Sequence, residues 1–489
     1  MSNRKLLSVI LAVLMLLPVL FGCADNGKTD TTTAAQTDAA TVDPSASEEG
    51  TTDAYVADGL PETLDLDMTI CVLYDTKTSA QEFFADDTNG EPINDAIYAR
   101  NAAIENRLNV KLEFVGETGN HDNQNVFLNR AKADTDGTYD IYGCYSRTCA
   151  YLAANGLCQN LMTTEYFDIE KPWWPDALTN ECLIKNKLFF CSGDISTNLL
   201  WYMSACFFNI EIWENANPGY SLYDLVDNKE WVLDKFTEIV KSFYVDNGNG
   251  TVDDGDQFGV CGYNACYDAF LNSCGVISII KDADGGLMLN PDFLGERTVD
   301  IVSKVAIICA DAGCHHSDVS KDEKAIFYDG RSLFVIDGPQ LVANGGNNLD
   351  FRFGMIPLPM LDQSQADYIT NIRYPFNIYA ISKGAENPDA CSAVLEAWAS
   401  GSYRTVTPVI FEVAMKTRYS EDSNASRMYD TLRRTVCFDL GRVFNYSVSN
   451  FYPNFRKACF QNLNWTGIAK TLGQSVNRLL KNLMNTVYN

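Results

Sequence analysis

From Met68 onward, strand-like and helix-like stretches take turns, and this rhythm restricts the fold more than any other feature of the chain. Met68-Thr69-Ile70-Cys71-Val72-Leu73 reads as a first strand. Ile93, Ile97, Ile104 and Leu108 then recur at helical spacing. Val110, Leu112 and Phe114 alternate as a half-buried strand, and a helix is predicted near Val126 to Ala133. Asp140-Ile141-Tyr142-Gly143 is another short strand, and Cys149 to Ala154 a short helix ended by Gly156. A β-α-β order of this kind predicts an α/β sheet with parallel pairs.

The same rhythm continues further along. Lys187 to Cys191, Ser332 to Ile336 and Phe353 to Ile356 read as strands. Leu233, Phe236, Val240 and Phe243 mark a helix, Pro388 to Trp398 another, and Ile468 to Leu483 a long amphipathic one. No internal repeat interrupts the pattern.

The rhythm starts late because the N-terminus has another use. Arg4 and Lys5 precede an apolar run from Leu6 to Phe21, broken only by Ser8 and Pro18. The run is shorter than the ~20 residues a membrane-spanning helix needs, and it has the flanks of a cleaved export signal. Leu20-Phe21-Gly22-Cys23 closes it and resembles a bacterial lipobox. Residues 1–22 are therefore expected to be removed and Cys23 to carry the lipid. Residues 23–62 are rich in Thr, Ala, Asp, Ser and Glu, with nine acids against Lys28 alone. Such a segment has little to bury, so it is expected to be a disordered tether.

Composition narrows the function. The formal net charge is -27. That argues against nucleic acid, which needs a basic surface, and against adhesion to anionic lipid by charge. With Cys23 lipidated, 15 of the 16 cysteines remain. They form no CxxC pair, and the folded part is large enough to have a core, so most are expected to be buried small hydrophobes. Cys314-His315-His316 has no further ligand spacing to make it a metal site.

Four stretches carry a family resemblance. The first is Tyr139-Asp140-Ile141 with Leu152 to Leu157 and Leu161. The second is Lys171-Pro172-Trp173-Trp174-Pro175 with Gly193-Asp194-Ile195-Ser196. The third is Phe327 to Phe334 followed by Phe353 to Pro359, and the fourth Pro388 to Ala399 leading to Tyr403 and Pro408. Their order and spacing resemble the extracellular solute-binding proteins of ABC importers, in the sugar-binding group that includes maltose-binding protein. The resemblance implies an α/β, two-lobed periplasmic-binding-protein-like fold (type II) with the ligand cleft between lobes. Lobe 1 would take residues 63–195 with 375–403, and lobe 2 residues 196–374 with 404–489. It also implies a monomeric receptor, not an enzyme, that delivers a carbohydrate to ABC transporter permease subunits from the outer face of the cytoplasmic membrane. No cofactor is required. A secreted glycoside hydrolase, a receptor for a peptide or other solute, and a surface sensor partner are the alternatives; no catalytic motif marks the first of them.

A sugar cleft needs aromatic faces and polar groups for hydroxyls. Tyr145 and Arg147 follow a predicted strand end, where open α/β sheets bind ligands. Asp194 sits at the implied lobe crossing, with Trp201 and Tyr202 just beyond. Asn264 and Tyr267 follow the strand at Phe258, and Gln340 stands where relatives often place a tryptophan. Trp173 and Trp174, bracketed by prolines, are expected to be structural. Asp246 to Asp256 resembles an EF-hand-type calcium loop, with Asn247, Asn249, Thr251, Asp253 and Asp256 on ligand positions. With Gly250 as the turn glycine, Val245 occupies the first position and supplies no oxygen.

Overall fold

The computed structural model describes residues 56–77, 82–120, 122–318, 320–343, 349–415 and 423–488. Cys23 and the expected signal peptide lie outside them.

Two sheets organise the chain. The first comprises β1 (Met68–Asp75), β2 (Val110–Glu117), β3 (Ile141–Tyr145) and β12 (Asn377–Ile381), in the order β12-β3-β1-β2. β1 runs parallel to β2 and β3, and β12 runs antiparallel to β3. The second comprises β4 (Ala205–Asn209), β5 (Phe258–Tyr263), β8 (Cys314–Ser317), β9 (Ser332–Asp337) and β10 (Phe353–Ile356), in the order β10-β4-β9-β5-β8. β5, β8 and β9 are parallel, whereas β4 and β10 are antiparallel to their neighbours. A hairpin of β6 (Ile279–Lys281) and β7 (Leu287–Leu289) and the parallel pair β11 (Thr370–Asn371) with β13 (Val436–Cys437) are separate.

Each sheet is the floor of one lobe. In the first, helix Pro92–Leu108 buries Ile93, Ile97, Ile104 and Leu108, the residues whose spacing predicts it. Glu91 accepts from the amides of Ile93 and Asn94 and caps its start. In the second, Trp231, Phe236 and Phe334 meet at ring separations near 5.6 Å. Contacts between aromatic rings at such separations add to the area they bury. Every cysteine among the described residues is a free thiol, and all but Cys309 are buried.

Two expectations change. Lys187 to Cys191 does not form a strand: Lys185 and Asn186 turn with positive φ, and only isolated bridges occur, Lys187 with Ile184 and Cys191 with Tyr379. The tether also ends earlier than residue 62. Asp58 and Leu60 are buried, and Asp58 meets Arg107 at 2.7 Å and Arg404 at 3.6 Å. Burial pushes the Asp58 carboxyl up, but Arg107 and the amide of Leu60 outweigh it and bring the pKa down to about 2. An acid that finds two arginines repays its ordering, which composition could not foresee.

The C-terminal segment joins both lobes. Helix Tyr452–Gln461 packs on Glu296–Cys309 of the second lobe, and Trp465–Leu483 lies against β7. The final turn, Met484–Tyr488, reaches helix Ser146–Ala154 of the first, and Tyr488 meets Phe189 at 5.5 Å.

Candidate ligand cleft

The topology brings chemistry-bearing loops to two facing edges. Parallel strands β1, β2 and β3 all end at one edge of the first sheet. β12 is antiparallel, so it begins there: Asn377 pairs with Tyr145. Likewise β5, β8 and β9 end at one edge of the second sheet, and β4 begins there, with Ala205 opposite Asp337. The segments leading into β4 and β12 are the crossings between lobes. Loops at strand C-termini are where open α/β sheets take ligands.

The first crossing runs through Gly193 to Ser204. Gly193 has φ of 140°, and a Cβ there would stand 2.5 Å from the carbonyl oxygen of Trp173. Only glycine fits without a shift. Glu82, fully buried, accepts from Thr197 Oγ1 at 2.7 Å, the Asn198 amide at 2.9 Å and Tyr379 Oη at 2.9 Å. Thus the first lobe holds the start of helix Thr197–Tyr202.

The second crossing lies alongside. Met203 bridges Ile372, and the Arg373 amide donates to the Tyr202 carbonyl at 2.8 Å. Successive side chains on an extended segment point to opposite sides. Arg373 therefore joins one group and Tyr374 another.

Arg373 goes to the second lobe. It pairs with Asp337, donates to Cys266 Sγ at 3.3 Å and stands over the Tyr202 ring at 5.9 Å. Lys324 reaches the other Asp337 oxygen at 3.1 Å, and Gln340 Nε2 donates to Asp337 at 3.3 Å. Burial pushes Asp337 up, but Arg373 and Lys324 prevail and hold it below the usual carboxylate range. Gly338 must lack a side chain, because a Cβ would sit 2.6 Å from the Trp201 carbonyl oxygen.

Tyr374 starts a column of alternating rings and guanidinium groups. The Arg147 guanidinium lies between Tyr446, at 4.5 Å, and Tyr374, at 5.0 Å. Arg442 lies between Tyr374, at 4.4 Å, and Tyr452, at 5.0 Å. Tyr145 meets Tyr374 edge-on at 5.6 Å. Such cation–π contacts gain strength as they are withdrawn from water. Asp268 lies 3.7 Å from Arg442 and 3.5 Å from Arg456, yet burial still lifts its pKa to about 6.

The sequence-predicted residues divide accordingly. Tyr145 and Arg147 lie in the ring column; Tyr202 and Gln340 lie around Asp337; Trp201 is half-buried at the same crossing. Asn264 is at the second-lobe edge, with its side chain engaged by Asp318 at 2.7 Å and His316 at 2.9 Å.

Two expectations are corrected. Asp194 ties the first crossing to helices Thr407–Met415 and Ser423–Arg434: it accepts from Thr407 Oγ1 at 2.7 Å and meets Arg433 at 3.3 Å, with 4% exposure. Its grip is taken up by the protein. Tyr267 is fully buried, with its hydroxyl 3.1 Å from Cys314 Sγ and its ring against Phe460. It faces the core, because the helix that follows β5 turns it away from the edge.

The acidic loop closes on itself. Asp256 accepts from the Asn247 amide at 2.9 Å, and the side-chain amides of Asn247 and Asn249 donate to Asp253 at 3.2 and 2.6 Å. Thr251 donates its backbone N–H to Asn249. Nitrogen donors thus sit where a calcium ion needs oxygens. No group of three His, Cys, Asp or Glu among the described residues is placed to hold a metal. Trp173 and Trp174 both donate to buried Glu396, at 2.8 and 3.2 Å.

Sequence reasoning missed Arg373, Tyr374, Arg442, Tyr446 and Asp337. The one usable signal was Arg373-Tyr374-Pro375 at the expected return crossing.

No family model matches the chain, and no curated protein does. Solved structures do. The galacto-N-biose-/lacto-N-biose I-binding protein of an ABC transporter from Bifidobacterium longum, in complex with lacto-N-biose, superimposes with a TM-score of 0.57 at 10% identity, over 86% of this chain and 98% of that one. UspC of Mycobacterium tuberculosis gives 0.54 at 16% identity, over 84% and 100%. A cyclo/maltodextrin-binding protein complexed with maltotetraose gives 0.53 at 14% identity, over 86% and 97%. The chain has the two-lobed, periplasmic-binding-protein-like fold. These solved structures share that fold, and what they share with this chain is architecture. No helix among the described residues is long and apolar enough to cross a membrane.

Proposed function

We propose that this chain is the solute-binding receptor of an ABC importer, and that it captures a saccharide between its lobes. The observation that carries the reading is the set of half-buried rings Tyr202, Tyr374 and Tyr446 at the lobe crossings, each with an arginine beside it. Rings suit the apolar face of a pyranose, and the polar groups beside them suit its hydroxyls. Tyr374 is covered by Arg147 and Arg442, so Tyr202 and Tyr446 would be the rings that stack on sugar units, and two such rings suit an oligosaccharide. The solved structures that share the fold add support, since two of them are complexes with a saccharide. Ligand touching both lobes favours the closed form, and the permease subunits would read that form.

A hydrolase is less well supported. It needs one carboxyl to donate a proton and a second to attack or activate water. Asp337 is held between Arg373 and Lys324, and Asp268 between two arginines. Neither is placed as a free acid.

The test is a thermal-shift screen across neutral and acidic saccharides and peptides, with product analysis of each saccharide. At 100 times its dissociation constant a ligand adds about 2.7 kcal/mol of stability. A shift by a saccharide that is recovered intact is the expected result. Shifts by peptides alone, or cleaved sugar, would overturn it.

Cys23 would hold the receptor at the outer face of the membrane, since two acyl chains anchor stably where one does not. Cys23→Ser is expected to release the protein to the medium with saccharide binding unchanged. Retention of the variant on cells would remove the anchor from the reading.

A further inference from the structure

Arg147 is a buried cation without an acid. It is 5% exposed, and its partners are Tyr145 Oη at 3.3 Å, Asn445 Oδ1 and three ring faces. Among the described residues no carboxylate pairs with it, and its Nε has no hydrogen-bond partner. Arg373 and Arg442 also leave their Nε without a hydrogen-bond partner, but each has an acid beside it. Arg373 has Asp337 and Arg442 has Asp268. Arg100 has no acid either, but its Nε, Nη1 and Nη2 all donate to oxygens. Burying a charge without full pairing is costly, so such a group calls for a partner.

The neighbouring residue adds a second orphan. Ser146 is fully buried, and its Oγ has no partner. Ser146 and Arg147 open helix Ser146–Ala154, and no side chain caps it. The helix begins directly after β3, at the sheet edge where β12 and the second crossing enter. Its first turn carries partial positive charge that suits an anion, with the Ser146 N–H already given to the Phe376 carbonyl at 2.8 Å. A buried guanidinium, an orphaned hydroxyl and an uncapped helix start therefore occur together, beside the rings of Tyr374 and Tyr446.

The geometry points to an acidic saccharide as the ligand, one whose carboxylate pairs with Arg147 and accepts from Ser146 Oγ. This rests on the saccharide-receptor reading above and names the substrate class of the same cleft. The ligand brings the anion that the protein withholds from Arg147. The flanking Tyr374 and Tyr446 rings hold the guanidinium plane fixed. A neutral sugar would leave the buried cation unpaired, so the cleft discriminates between the two classes.

Titration calorimetry on the mature chain tests this. The probes are galacturonate, glucuronate and mannuronate oligosaccharides, their methyl esters, the matching neutral oligosaccharides and a sulfated disaccharide. At least one uronate should bind about 10-fold or more tighter than both its methyl ester and its neutral counterpart. Arg147→Gln should weaken that uronate roughly 10- to 100-fold, the range of a lost hydrogen bond to a charged group, and by more than it weakens the matching neutral sugar. Arg147→Lys should recover part of the affinity, and Ser146→Ala should lose less than Arg147→Gln. Melting of each variant without ligand separates binding from folding. Equal or tighter binding of neutral sugars overturns the acidic-ligand assignment and leaves the saccharide reading standing. So does an unchanged uronate affinity in Arg147→Gln, or a preference for the sulfated sugar. If no saccharide of any class binds, both readings fall.

Discussion

Asp337→Asn is expected to destabilise the protein by about 3–5 kcal/mol, the range for breaking a buried charge pair from one side. Asp337 ends β9 with 2% exposure and holds Arg373 on one oxygen and Lys324 on the other. The Gly338 backbone amide and the Gln340 side-chain amide also donate to it. Asparagine fills the same space but removes the negative charge. Two cations then remain close together, with side chains only 12% and 18% exposed. Coulomb repulsion and lost pairing act in the same direction. Urea unfolding of both proteins measures the difference, provided the slope with denaturant is unchanged. Adding Arg373→Met removes the stranded cation, so the double variant should recover a large part of the loss. A loss below about 1 kcal/mol, or no recovery in the double variant, would show that the pair does not hold the second crossing to β9.

The second large effect is a fall in stability as pH rises. Glu396 lies in helix Pro388–Gly401 with no exposure. It accepts from the Trp173 and Trp174 indoles and from the Asp168 amide at 3.3 Å. Burial outweighs those bonds and lifts its pKa from 4.5 to about 8. The folded protein thus keeps a proton that the unfolded chain releases above 4.5. The stabilising contribution is complete below pH 4.5 and is lost as pH rises through about 8. A pKa that differs by one between folded and unfolded chain corresponds to about 1.4 kcal/mol, so the full effect is several kcal/mol. Glu181, beside Asp439, is also lifted to about 8 and acts in the same sense. Asp268, at about 6, adds to the fall between 3.8 and 6, whereas Asp58, at about 2, acts only below 3.8. The melting temperature should therefore decline between about pH 5 and about pH 8. Glu396→Gln should make that decline shallower, raising stability at the alkaline end relative to wild type and leaving the acid end nearly unchanged. An equal decline in both proteins would mean that Glu396 is ionised in the fold.

Local pattern located much of the frame. The strands read at Met68, Val110, Ser332 and Phe353 are present, as are the helices at Ile93, Leu233 and Pro388. Periodicity succeeds there because backbone geometry sets which residues share a face. It failed at Lys187 to Cys191, where an apolar run packs without a ladder. Pairing needs a partner strand, and a run of side chains does not reveal one.

The cleft was legible only in part. Tyr145 and Arg147 were singled out because they follow a strand end, and Tyr202 because it lies just past the implied crossing; all three stand by the crossings. Asp194 and Tyr267 had the right chemistry at plausible offsets, yet the first is held by Thr407 and Arg433 and the second by the core. A sequence offset does not say which way a side chain turns, or which distant cation reaches it first.

Periodicity along the chain was enough to establish layered α/β sheets, because alternating periods of 2 and 3.6 admit few other architectures. The acid excess argues against nucleic acid as a partner. How charge is shared within the cleft came from three-dimensional packing alone. Arg147, Tyr374, Arg442 and Tyr446 come from three distant segments, and Arg373 reaches Asp337 and Lys324 from another crossing of the chain. Which arginine receives an acid, and which does not, follows from distances of a few ångströms set by sheet order and crossing, and no local pattern encodes them.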